Sequence, residues 1–154
     1  MSKKSPAIAA LLEGIDTEGL DPHYAGFFAC FNRGLYFEAH DVLEELWLVQ
    51  GRSAVNYAFH KGLIQLAGAF VHLQKNRLKP SVALFRLAKN NFRLYPTPHQ
   101  RLDLDWILSL IQDWRTAIES GDFKCNPLDT RSKPHLKPLP INRLDAAIST
   151  VPLH

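Results

Sequence analysis

The chain has 154 residues, of which 46% are hydrophobic and 21% charged, with a formal net charge of +3. That balance is one of an ordinary globular domain, and it excludes a disordered or collagen-like chain. No stretch approaches the roughly 20 consecutive apolar residues of a membrane-spanning helix, and two cysteines, Cys30 and Cys125, do not make a disulfide framework.

The N-terminal run MSKKSPAIAALLEG is too short and too soon broken for a secretory leader. It reads as a small helix with Ser5 as its cap and Pro6 in its first turn, in a cytoplasmic protein. Asp21-Pro22 opens the next helix, which runs to Arg33 with Gly34 at the left-handed C-terminal position. A tight link leads to a helix over Tyr36–Gln50, ended by Gly51. Ser53 is a candidate cap for a long helix reaching Asn76. Pro80 starts a further helix that stops at Tyr95, before Pro96 and Pro98. Asp103 opens the last long helix, ended by Gly121. No segment alternates in the manner of strands joined by hairpin turns. The expected fold is all-α: a compact antiparallel bundle of five to six helices over residues 1–121.

Residues 122–154 contain Pro127, Pro134, Pro138, Pro140 and Pro152 and few large apolar side chains between them. This composition favours extended geometry. The expectation is an arm laid along the body or a neighbouring subunit, with a short final helix over Ile141–Val151. An ordered arm on an apolar bundle also favours a homodimer.

A faint internal repeat aligns Phe31, Gly34, Tyr36 and Ala39 with Leu73, Asn76, Leu78 and Ser81 at an offset of 42 residues. Each unit is helix, short turn, helix. The turn element Gly34–Ala39 is like that of a tetratricopeptide repeat, but the period of that family is about 34. Two antiparallel helix pairs are expected rather than a solenoid.

On a helical wheel at about 100° per residue, Tyr36, Ala39, Val42, Leu43, Leu46 and Trp47 form one apolar arc. His40 and Glu44 follow beside Trp47, flanked by Phe37 and Leu48, so they are expected to point inward. Asp41, Glu45 and Glu38 fall on the opposite arc and are expected in solvent. In Gly62–Leu73 the chain is apolar nearly all round, and Lys61, Gln65 and His72 share a narrow stripe. Small residues at Gly62, Ala67, Gly68 and Ala69 let a neighbouring helix approach closely. The economical arrangement sets His40 and Glu44 against Gln65 and His72, because buried polar groups need partners.

Three readings follow from that cluster. In the first it is a closed hydrogen-bond network completed by Gln65 and the Trp47 indole, which needs no ligand, or else it lines the groove of a binding module that takes a peptide or small ligand with no resident cofactor. In the second His40, Glu44 and His72 hold Zn²⁺ or Fe²⁺ for hydrolytic or redox chemistry. The third is RNA binding through the basic residues at Lys75–Lys79, Arg86–Arg93 and Lys133–Lys137. It ranks last, since these form no stripe with interleaved aromatics. No phosphate loop or nucleophile elbow is present. Trp106 and Trp114 read as packing, and His23, His60, His99 and His135 read as surface residues.

The string F-N-x-G-x-Y-F-E-A-H-D-x-L-E-x-x-W over Phe31–Trp47, followed by Gly62–Ala67 (GLIQLA) and His72, resembles the small bacterial, archaeal and plastid family called domain of unknown function 309. The similarity covers roughly Asp21–Tyr95 and leaves the proline-rich tail outside. The resemblance implies a helical bundle with no established activity. It also implies that Glu38, His40, Asp41, Glu44, Trp47, Gln65 and His72 occupy signature positions, with Asp41 where Glu is more usual. It would turn Glu38 inward, whereas its place in a first turn suits a residue that favours the positive end of the helix dipole.

Overall fold

The computed structural model describes residues 5–140. Among these the chain forms six α-helices: α1 (Ser5–Leu12), α2 (Pro22–Asn32), α3 (Tyr36–Gln50), α4 (Tyr57–Gln74), α5 (Leu78–Phe92) and α6 (Leu104–Ser120). A single 3-10 turn follows at Pro127–Asp129. No strand occurs among the described residues; an isolated bridge joins His99 to Leu102. None of these helices is long and apolar enough to cross a membrane. The expected helix over Ile141–Val151 lies outside the described residues.

The 42-residue repeat is a structural one. Leu35 N–H donates to Cys30 O and Gly34 N–H to Phe31 O, and the same pattern recurs as Arg77 to His72 O and Asn76 to Leu73 O. Both turns are Schellman motifs. Each needs a left-handed residue, supplied by Gly34 at φ +77° and by Asn76 at φ +56°; asparagine is one of the few side chains that tolerate this conformation. The hairpins α2–α3 and α4–α5 lie side by side, with α4 between α3 and α5. The Gln74 amide bridges the two turns by donating to Gly34 O at 2.9 Å.

Aromatic rings fill the centre. Phe70, fully buried on α4, touches Phe31 of α2, Tyr36 of α3, Phe85 of α5 and Trp114 of α6. Gly62 lets the Phe92 ring come close, since a Cβ there would stand 3.0–3.2 Å from three of its carbons. Trp106, by contrast, is exposed.

Three helix starts differ from the expected ones. Helix α1 includes Ser5, whose hydroxyl donates to Glu45 Oε2 at 2.9 Å instead of capping. Helix α5 begins at Leu78, so Pro80 lies inside its first turn, where a missing N–H costs nothing. Helix α4 starts at Tyr57 rather than near Ser53. The reason is Tyr95. Its hydroxyl accepts from Phe59 N–H at 3.0 Å and donates to Val55 O at 2.9 Å. It thus replaces the i to i+4 bond that would have carried the helix further back. Tyr95→Phe would leave both backbone groups without that partner, and urea denaturation is expected to show a loss of about 1–3 kcal/mol.

Beyond α6 the chain turns back along the body. Leu136 is fully buried, and its backbone is clamped by Asn32, which donates to Leu136 O at 2.8 Å and accepts from Leu136 N–H at 2.7 Å. Farther on, Leu139 N–H donates to Arg101 O at 2.6 Å.

Candidate functional site

The apolar face of α3 buries Tyr36, Ala39, Val42 and Leu43. His40 and Glu44 sit at the rim of that face, with side chains 29% and 31% exposed. The expectation that they point inward is therefore corrected. It relied on Phe37 and Leu48 being buried, and both are exposed. Asp41, expected in solvent, is the most enclosed of these three side chains, at 12%. Its Oδ1 lies 3.1 Å from His40 Nδ1, and Glu44 Oε2 lies 3.8 Å from His40 Nε2. With one ligand atom taken from each residue, His40, Asp41 and Glu44 lie within 4.8 Å of one another.

The expected partners from α4 are elsewhere. Gln65 turns to α5, where its Oε1 accepts from Asn91 Nδ2 at 2.7 Å. His72 lies in the last turn of α4, and burial together with Arg77 and Lys75 nearby lowers its pKa. It does not belong to the group around His40. The set His40, Glu44, His72 is thus not assembled, and Asp41 stands where His72 was expected. Trp47 does not complete this cluster either: its Nε1–H donates to Tyr57 O at 3.1 Å, its ring stacks on Tyr57, and Lys61 Nζ lies 4.4 Å above it. Glu38 is half-buried in the first turn of α3, beside Cys30, whose thiol burial and this carboxylate push up.

Glu45 is not a free solvent-facing acid. Its Oε1 lies 2.9 Å from His23 Nε2, and its Oε2 accepts from Ser5. The hydrogen bond from His23 holds its carboxyl below the usual range. The pair ties α1 and α2 to α3, which a wheel drawn for one helix cannot register.

Three histidines assigned to the surface have partners or burial that sequence did not reveal. His23 meets Glu45. His99 Nε2 lies 2.7 Å from Asn56 Oδ1, with its ring against Phe59 and Tyr95. His60 is 4% exposed, and burial pushes its pKa down to about 4, against the opposing pull of Asp21. His135 is exposed, as expected. His60, Tyr24 and Arg101 border a cavity that no motif announced, because its residues are far apart in sequence.

Residues 24–84 match the model of the family described as "Domain of unknown function (DUF309)". No curated protein and no solved structure matches the chain significantly. The matched span runs from the first turn of α2 into α5 and holds the whole His40 cluster, so the similarity to DUF309 covers most of the two helical hairpins and that site.

Proposed function

We propose that this is a cytoplasmic binding module whose rim on α3 takes up a divalent cation through His40, Asp41 and Glu44. The observation that carries the reading is the convergence of one imidazole and two carboxylates within 4.8 Å on partly exposed side chains. One nitrogen and two carboxylate oxygens suit Zn²⁺ or Mn²⁺, and a helix rim leaves coordination positions for water. The partial exposure of all three side chains gives an ion direct access. A hydrolytic or redox role through His40, Glu44 and His72 is not favoured, since His72 does not belong to the cluster. Zinc and manganese titrations of the tag-free full chain test the proposal. One equivalent is expected to bind, with His40→Ala and Glu44→Gln each weakening it at least about tenfold. Less than about one tenth of an equivalent bound at saturation, or unchanged affinity in both variants, overturns it.

A further inference from the structure

The N-terminus of α2 and the loop before it, the C-terminal end of α3, the beginning of α4 and the turn between α5 and α6 line a cavity of about 250 Å³. That is below the roughly 300–1,000 Å³ of sites for drug-sized molecules, which sets its occupant at small-metabolite size. Its ionisable lining is Asp21, Tyr24, His60 and Arg101.

Arg101 is held as few surface arginines are. Its side chain is nine-tenths buried. Nε–H donates to Leu139 O at 2.8 Å and Nη1–H to Glu18 O at 2.7 Å. These carbonyls orient the guanidinium without neutralising it. Nη2 is buried and makes no hydrogen bond, and the exposed Glu18 carboxylate stops 4.0 Å away. The tight turn that presents it has Gln100 and Arg101 both at positive φ, closed by paired bonds between His99 and Leu102. The Tyr24 hydroxyl donates to Gln100 O at 2.8 Å, which pins the turn to α2 and leaves the phenol oxygen able to accept.

His60 is the second sign of a ligand. It is more than nine-tenths buried, and its Nδ1 has no hydrogen-bond partner. Such a group costs stability unless something occupies it. Asp21 uses Oδ1 to cap α2, accepting from His23 and Tyr24 N–H.

Arg101 and Asp21 bring one charge of each sign to this lining, and burial holds His60 beside them neutral. A plain anion would gain from Arg101 and be repelled by Asp21. A molecule carrying both charges gains from each, while Leu20 and Leu46 offer apolar wall to a short side chain. We propose that this cavity binds a small zwitterion of the amino-acid type, with its carboxylate on Arg101 and its ammonium on Asp21.

Calorimetric titration of the full chain tests this, with glycine, L-serine and L-leucine as probes and acetate and methylammonium as single-charge controls. At least one amino acid is expected to bind about tenfold or more tighter than either control, and Arg101→Gln to remove that binding. Since Arg101 also holds two carbonyls, Asp21→Asn is the second variant. Asparagine caps a helix as well as aspartate does, so folding is retained while the preference for the zwitterion over acetate falls about tenfold. Acetate binding as tightly as every amino acid, no saturable binding at about 10 mM, or an Asp21→Asn variant with unchanged preference overturns the proposal.

Discussion

Phe70→Ala is expected to lower the stability of the chain by about 3–5 kcal/mol, the largest effect of any single aromatic truncation named here. Phe70 is fully buried and touches rings on four other helices: Phe31, Tyr36, Phe85 and Trp114. Removing it deletes the transfer free energy of the ring and leaves a void that the surrounding rings cannot all collapse into, because each is anchored on a separate helix. At about 2–4 °C per kcal/mol for a chain of this size, the melting temperature should fall by roughly 6–20 °C. Phe37→Ala is the control. That ring is 52% exposed, so its loss should move stability by no more than about 0.5 kcal/mol. Thermal melts of both variants beside the unaltered chain decide the matter. A Phe70→Ala melt within a degree or two of the parent would mean that the ring is not at the centre of the bundle.

Stability should also fall on mild acidification, and His60 should account for most of the fall. Its folded-state pKa is about 4, against roughly 6.5 in an unfolded chain. Between these values the unfolded chain takes up a proton that the folded chain refuses. The contribution is therefore fully present above about pH 6.5 and is lost as the pH drops toward 4, by roughly 3 kcal/mol in total. The groups facing His60 act in opposite directions: Asp21 favours its protonation and His99 opposes it. His72 and His99, both lowered by burial, add to the fall with the same sign. Denaturant unfolding at several pH values from 4 to 8 should give a steep slope for the parent and a shallower one for His60→Gln. Equal slopes would show that His60 takes up its proton without opening the fold.

The α3 rim and the Arg101 cavity share no residue, so their tests fail independently. Loss of metal binding in His40→Ala says nothing of Arg101, and loss of amino-acid binding in Asp21→Asn says nothing of His40. The DUF309 match spans the first site completely. It holds Tyr24 and His60 of the second site but not Asp21 or Arg101.

The helices, their all-α class and the paired turns were legible from residues 21–121 alone. Gly34 and Asn76, Pro22, Asp103 and the 3.6-residue spacing of Tyr36, Ala39, Val42 and Leu43 act within a few residues of themselves. Local sterics and capping determine such features, so sequence contains all the information they need. The Phe31–Trp47 string was likewise conspicuous as sequence. What only the tertiary structure decided is which polar groups meet. Tyr95 delays the start of α4 from 36 residues away, and Ser5 and His23 claim Glu45 from two other helices. Asn91 takes Gln65, while Asp41 rather than His72 stands beside His40. A buried or half-buried polar side chain goes to whichever partner the packing brings within about 3 Å. That choice depends on the angles at which helices cross and on where loops return. One helix's wheel carries neither.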